Sequence, residues 1–397
     1  MKVAYLGPFV NSYLRPFLPD LSDEELRLAP GMGGYGLVPI VIERIKSKQP
    51  TILITLDDHL PAGRIIHKQN ENFTFFCLPR RKRKAIRNRF DLEVSLIQEA
   101  LSQAKPDLIH AHWTYEYAWA ALRIAHGLPV LVTVRDHCGD ILRFSGFHYL
   151  PFYLLTRWVF RQAKYLTVVS PHVFGSVVRL SRAMIWLVPN PGVPGAFLPT
   201  LVADSQREGV HIVSAGNDSP LKNLRKGILA FRQIRRSFPG AVLDLCGPGL
   251  HAGGRVHAWA KKQKVDPGIV FHGNVSPEYF SGLLWKADIY LHTSRTEACN
   301  NAVAEAMCLG IPVVGGKASG GIPWQLNYGN AGVLVDVENP ESIAAGVLML
   351  LNDRQKRVAF SKKGREYGQD LYDIHEIMDR YEAIYLEIQK LEKAHVS

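Results

Sequence analysis

One stretch of this chain, His292 to Asp336, leaves little choice of architecture. It reads HTSRTEACNNAVAEAMCLGIPVVGGKASGGIPWQLNYGNAGVLVD. The apolar run Ile289-Tyr290-Leu291 leads into it as a short strand. A loop then reaches Asn300 and Asn301, whose side-chain oxygens suit a helix cap because they satisfy orphan N–H groups of the first turn. Ala302, Ala306 and Leu309 share one face of that helix. Gly310 stops it, and Pro312-Val313-Val314 opens an apolar run of the kind buried in parallel sheets. Gly320-Gly321 makes the next turn. A strand, a helix and a second buried strand in this order specify an α/β unit. Two carboxylates, Glu297 and Glu305, bracket the loop and the helix start with seven residues between them. A helix N-terminus at that place favours an anion such as a diphosphate.

Length and charge narrow the rest. A chain of 397 residues reads as two α/β domains. The five cysteines, at 77, 138, 246, 299 and 308, are scattered and form no close cluster with histidine, as expected for reduced thiols of a cytoplasmic protein. The N-terminus MKVAYLGPFV reads as a first strand, not a signal peptide. No uncharged apolar run reaches the roughly 18 residues that a membrane-spanning helix needs. The formal charge of +11 implies an anionic partner. Seven of those charges, Arg80, Arg81, Lys82, Arg83, Lys84, Arg87 and Arg89, lie in one segment with no acid, and removing them leaves +4. The segment is either a solvated loop or a peripheral contact with an anionic membrane, where each basic residue contributes roughly 1 kcal/mol. No aromatic stacking motif or DNA-binding pattern accompanies it, so no nucleic acid is expected.

Along the chain, Lys2 to Leu6 is an expected strand. The glycine-rich run Gly31-Met32-Gly33-Gly34-Tyr35-Gly36 then opens a helix over Leu37 to Lys48, an order suited to close approach of an anion. Leu108 to His112 and Pro129 to Val134 are further strands, the second followed by Arg135-Asp136-His137. The segment Phe144 to Phe160 is strongly aromatic and reads mostly as core helix, with an exposed part able to receive a hydrophobic acceptor. Pro189 to Gly209 is proline-rich and reads as a linker. A second α/β pattern begins at Val210, and a final helix spans about Ile374 to Lys393.

The ordered run of E-x7-E, EAM-x-x-G-x-PVV, Gly320-Gly321-Ile322-Pro323 and G-x-L-V-D at Gly332 to Asp336 resembles the nucleotide-sugar site of retaining GT-B glycosyltransferases of family four, the glycosyl transferases group 1. That resemblance implies a GT-B fold of two doubly wound Rossmann-like domains facing across a cleft. The expected parts are an acceptor-side domain over 1–203, a nucleotide-sugar domain over 204–373, and a helix over 374–397 crossing back to the first. It also implies a retaining, metal-independent hexosyltransferase that moves sugar from a nucleotide-diphosphate donor, UDP- or GDP-linked, to a glycan or lipid-linked acceptor. Cell-surface polysaccharide or glycolipid synthesis, in the cytoplasm or on the inner membrane face, would be the setting. No cofactor is expected, and no Asp-x-Asp is present to hold a metal.

Residue by residue, the resemblance places Glu297 near the oxocarbenium-like centre, Glu305 on the ribose hydroxyls and Lys222 on the donor phosphates. Gly33, Gly34, Asn300, Asn301 and Ala302 would meet the diphosphate, and Gly273 with Asn274 the nucleobase. Two departures stand out. Asn217 occupies the place of a phosphate-binding arginine, with Arg225 and Lys226 near enough to compensate. Arg135 stands where relatives have a histidine that contacts the sugar, leaving His137 or His112 as substitutes. These departures keep open a catalytically silent binding protein of the same fold, and the basic run keeps open a membrane- or nucleic-acid-binding role.

Overall fold

A computed structural model describes residues 1–33, 36–81, 88, 90–125, 127–192 and 209–396. Gly34 and the cations Lys82, Arg83, Lys84, Arg87 and Arg89 lie outside the described residues. The chain forms two compact units: Met1–Leu142, Gly146–Pro191 and Ile374–Ser397 make the first, and Arg143–Ser145 with Gly192–Asp373 the second.

The first unit holds an eight-stranded sheet. Its strands are β1 (Val3–Leu6), β2 (Thr51–Asp57), β3 (Ile66–Gln69), β4 (Phe73–Pro79), β5 (Leu108–His112), β6 (Val130–Val134), β7 (Tyr165–Val168) and β8 (Met184–Leu187), in the spatial order β3-β4-β2-β1-β5-β6-β7-β8. All neighbours are parallel except β3 against β4. The central strands are mostly apolar, as burial on both faces favours, with a few polar residues such as Asp57, His110 and Thr133 among them, and every residue of β1, β2, β4, β5, β6 and β7 is buried. The last helix, Ile374–Val396, supplies Ile377, Tyr381, Ile384, Tyr385 and Ile388 to this core. Tyr385 also joins a buried polar chain. Its hydroxyl meets that of Tyr5 at 2.9 Å and His110 Nδ1 at 2.8 Å, while His110 Nε2 meets Thr133 Oγ1 at 2.6 Å.

The second unit holds six parallel strands: β9 (His211–Ala215), β10 (Val242–Cys246), β11 (Ile269–Gly273), β12 (Ile289–Leu291), β13 (Val313–Gly316) and β14 (Val333–Val335). The order is β11-β10-β9-β12-β13-β14. Alternate residues feed two separate cores. Ile212, Leu291 and Val314 belong to one, and Val213, Tyr290 and Val313 to the other, so helices cover both faces. The order reverses between β9 and β12, and ligands of open α/β sheets bind beyond the carboxyl ends of strands at such a switch point.

One expectation fails. The aromatic segment 144–160 is not one core helix. It divides into a helix at Cys138–Ser145, a tight turn at Phe147–Tyr149 and a helix at Leu150–Gln162. Gly146 breaks it with φ +100°. Of its aromatic residues only Phe160 is buried, and Phe147 is 86% exposed. The second helix buries Thr156, Val159 and Phe160 on one stripe, which leaves the remaining rings at or near its surface.

Candidate active site

The residues singled out in the second unit converge at its switch point. After β9 the chain turns at Asn217, whose Oδ1 accepts the amide of Ser219 at 3.1 Å. That side chain closes a local turn. The loop then reaches Lys222 and Asn223 ahead of the helix Leu224–Ser237. Asn223 sits in the left-handed region at φ +54° and donates to the Val337 carbonyl at 2.8 Å. Asparagine tolerates that conformation better than most residues. The carbonyl of Lys222 accepts from Thr293 Oγ1 at 3.0 Å, and the carbonyl of Leu221 accepts from the Arg295 amide at 2.8 Å. Two loops that leave neighbouring strands are thus fastened together.

That fastening places Lys222 Nζ 2.6 Å from Glu297 Oε1. His292, buried at the end of β12, brings Nε2 to 3.4 Å from the same oxygen. Burial alone would raise the Glu297 carboxyl, but Lys222 and then His292 outweigh it and hold it well below the usual carboxylate range. Glu305 has the opposite environment. It lies one turn into the helix Asn301–Cys308, and burial pushes it up to about 8. The pair therefore divides at neutral pH into a carboxyl held ionised and a carboxyl held toward its protonated form. Carboxyls driven apart in this way carry distinct chemical roles.

The loop between them is clamped from the far side. The amide of Gly321 donates to the Glu297 carbonyl at 2.7 Å, and Ser319 Oγ donates to the Ser294 carbonyl at 2.6 Å. Gln325 is fully buried, and its amide group exchanges hydrogen bonds with the Asn300 backbone at 2.8 and 3.0 Å. Gly320 has φ +61°, and a Cβ there would lie 2.4 Å from the Glu297 carbonyl oxygen. Asn300 caps the helix through Oδ1, which accepts from the Val303 amide at 3.0 Å, so Asn301 and Ala302 head the helix at its positive dipole end. Gln325, His292, Thr293 and Ser319 carried no signal in the sequence, because only the fold brings them to this loop.

The other expected donor residues stand apart from this cluster in part. Lys226 lies half-buried on the helix Leu224–Ser237. The Arg225 guanidinium packs 5.2 Å from the Trp259 ring. The Gly273 amide donates to the Leu250 carbonyl and its carbonyl accepts from the Gly247 amide, which leaves the second lone pair of that oxygen for a base. Asn274, next in the chain, is exposed. Asn217 instead lines a pocket of about 510 Å³ with Asp218, Pro248, Gly249, His251 and Arg255. Arg255 pairs with Asp218 at 2.7 Å in that pocket, a cation the sequence did not mark.

In the first unit, Arg135 donates to His112 Nδ1 at 2.8 Å, to the Gly36 carbonyl at 3.1 Å and to Asn190 Oδ1. His112 is fully buried beneath it, so it does not serve as a substitute imidazole. His137 keeps 22% of its side chain exposed and is held toward its neutral form, chiefly by burial. Gly33 adopts φ +59° with open space around the position of a Cβ. The basic run also changes character. Arg80 is paired with Glu116 at 2.9 Å and Arg81 with Glu93 at 2.8 Å, so these two cations are neutralised by acids distant in sequence.

Two doubly wound units of this topology are those of a glycosyltransferase of the GT-B fold. The chain belongs to the glycosyl transferases group 1 family, whose profile matches residues 204–367, while a glycosyl transferase 4-like domain matches residues 55–191. It is 23% identical to a glycogen synthase of Mycobacterium tuberculosis over 297 residues, which span 73% of this chain and 70% of that one. It is 30% identical over 154 residues to a GDP-mannose-dependent alpha-(1-6)-phosphatidylinositol monomannoside mannosyltransferase of the same organism, covering 36% of this chain and 40% of that one. Among solved structures, sucrose-phosphate synthase of Thermosynechococcus elongatus superposes with a TM-score of 0.80 at 17% identity, over 98% of this chain and 100% of that one.

Proposed function

We propose that the protein is a retaining glycosyltransferase that moves a sugar from a nucleotide-diphosphate donor, UDP- or GDP-linked, to a glycan or lipid-linked acceptor. The carrying observation is the Lys222–Glu297 pair at the switch point of the second unit. An ammonium has three N–H donors. One is committed to Glu297, and the 21% exposure of Lys222 leaves the others for the leaving diphosphate. The helix headed by Asn301 and Ala302 adds amide donors to the same anion. Glu297, kept ionised, supplies the negative partner of the oxocarbenium-like centre, assisted by the leaving phosphate itself. Glu305 ionises to accept the ribose hydroxyls, and the pocket beside Asn217 and Arg255, with Asn274, serves the base.

The acceptor class follows from two features. The relative named above is a phosphatidylinositol mannoside mannosyltransferase, and the basic run of this chain suits peripheral contact with anionic lipid on the inner membrane face. Among the described residues, no helix is long and apolar enough to cross a membrane.

The test incubates purified protein with UDP-glucose and with GDP-mannose, with and without lipid extract, and follows nucleotide release and the anomeric configuration of the product by NMR. Release of UDP or GDP with an α-linked product from the α-linked donor supports the reading. Nucleotide binding without turnover of any donor would make the chain a silent binding protein, and an inverted product would remove the retaining assignment.

A further inference from the structure

A second cluster of chemistry-bearing side chains lies in the first unit. β6 and β7 are adjacent parallel strands, and just beyond their carboxyl ends the chain presents His137 and Asp140 on one side and His172 on the other. Asp140 Oδ2 is 2.8 Å from His172 Nε2, and Asp140 Oδ1 is 3.4 Å from His137 Nδ1. One ligand atom from each of the three residues lies within 4.8 Å of the others. The two imidazoles stack at 4.6 Å with 25° between their planes.

The hydrogen bonding fixes one proton. His137 caps the helix Cys138–Ser145 by accepting the Asp140 amide at Nδ1, at 3.0 Å. That nitrogen therefore carries a lone pair and no hydrogen. It faces a carboxylate oxygen at 3.4 Å, two acceptors with no proton between them. A cation that takes the place of the Asp140 amide at this nitrogen relieves the arrangement, and an anion aggravates it.

We propose that His137, Asp140 and His172 form a binding site for a divalent transition metal, of which Zn²⁺ is the natural probe. Zinc takes imidazole nitrogen and carboxylate oxygen at about 2.0–2.1 Å in tetrahedral geometry, which sets ligand atoms roughly 3.4 Å apart. The present separations reach that spacing by small rotations of side chains that are only half-buried. Three protein ligands leave a fourth position for water or an oxygen of a bound molecule. Metal competes with protons for the imidazole nitrogens, so affinity falls as the solution is acidified. The ion would tie together the segments that follow two adjacent strands.

The inference is independent of the donor-site reading, which concerns the other unit, and its test needs no activity. Protein dialysed against EDTA and then freed of it is titrated with Zn²⁺ by calorimetry at pH 7.5 and pH 5.5, and with Co²⁺ by visible absorption. The expected result is one equivalent per chain, weakened at the lower pH, with Co²⁺ bands of a low-coordinate nitrogen and oxygen site. His172→Ala and Asp140→Asn are expected to weaken binding on the order of 100-fold, since changes that only touch a ligand's partner already cost 10–100-fold. Circular dichroism and thermal melting confirm that each variant is folded. His172 is the cleaner change, because its ring caps no helix. Absence of binding overturns the proposal, and so does equal binding by the parent and both folded variants, which would locate the metal elsewhere.

Discussion

Replacement of Lys222 by alanine tests the central pair directly, and its consequence for stability differs from what sequence position alone implies. A lysine at a loop-to-helix junction would normally be lost without harm to the fold. Here its removal leaves the Glu297 carboxylate buried beside His292 alone. Breaking a buried pair costs about 3–5 kcal/mol. Lys222 and Glu297 are 21% and 13% exposed, which reduces the expected loss to about 2–3 kcal/mol. For a unit of this size each kcal/mol shifts Tm by about 2–4 °C, so the second unit should melt about 4–12 °C lower at pH 7.5. The pH dependence carries the sharper test. In the parent, Glu297 has a depressed pKa and contributes stability above its unfolded value of about 4.5, lost only as pH falls through the folded value. In the variant only His292 opposes burial, so the depression of the same carboxyl shrinks, and with it the stability that the carboxylate contributes as pH climbs. The gap between the two proteins should be widest near pH 7–8 and close toward pH 4. Scanning fluorimetry across that range measures it, and Lys222→Met combined with Glu297→Gln should recover more than half of the loss. A melting temperature unchanged at pH 7.5, or a gap that grows on acidification, would show that the pair does not hold this loop.

Three further outcomes follow from the same geometry. Glu305→Gln should weaken nucleotide binding by about 1.5–3 kcal/mol in titration calorimetry, because a charged acceptor is lost. With the folded pKa near 8, parent affinity should rise between pH 6.5 and 8.5 while that of the variant stays flat, and parallel profiles would remove Glu305 from the site. Gly320→Ala should lower both turnover and Tm, since φ +61° disfavours a side chain by about 1–2 kcal/mol and the new Cβ meets the Glu297 carbonyl and Thr296 Oγ1; turnover within twofold of the parent would refute it. Alanine at Lys82, Arg83, Lys84, Arg87 and Arg89 should abolish flotation with anionic liposomes, and parent flotation should fall steeply with salt because screening limits these charges to about 8 Å at physiological ionic strength. Arg80 and Arg81 are left intact in that variant because they are paired within the fold, and equal flotation of variant and parent would leave the run as a solvated loop.

The parallel strands were legible because burial on both faces favours near-continuous apolar runs, and Gly310 with Pro312 marked where helix gave way to strand. The site loop was legible because a cap, two carboxylates and a glycine turn must follow in order along one short segment. What escaped is what depends on partners far apart in sequence. Arg81 reads as an exposed cation until Glu93 folds against it, and Arg135 reads as a replaced active-site residue until it is seen locking His112. The aromatic segment misled for another reason. Aromatic content signals a core only when its spacing matches one face, and here only Phe160 falls on the stripe that the helix Leu150–Gln162 buries. Gln325 was invisible because a glutamine that bonds two backbone groups looks the same in sequence as one that bonds water.

The central pair also sits where stability alone would not put it. Six parallel strands in this order leave a crevice between the loops that follow β9 and β12, and a fold that needed only to be closed there would gain from apolar side chains. Lys222 and Glu297 occupy the place instead, each less than a quarter exposed, with His292 buried below and Gly320 forced into a left-handed turn above. The buried charges cost desolvation, and the left-handed turn disfavours any residue but glycine. They become intelligible together if the ammonium must meet a diphosphate and the carboxylate must stay charged beside a developing cation. A bound donor brings the negative charge that Lys222 lacks on its open side, so donor binding should raise the melting temperature of the parent more than that of Lys222→Ala. Equal shifts in the two proteins would mean that the lysine serves the loop and not the ligand.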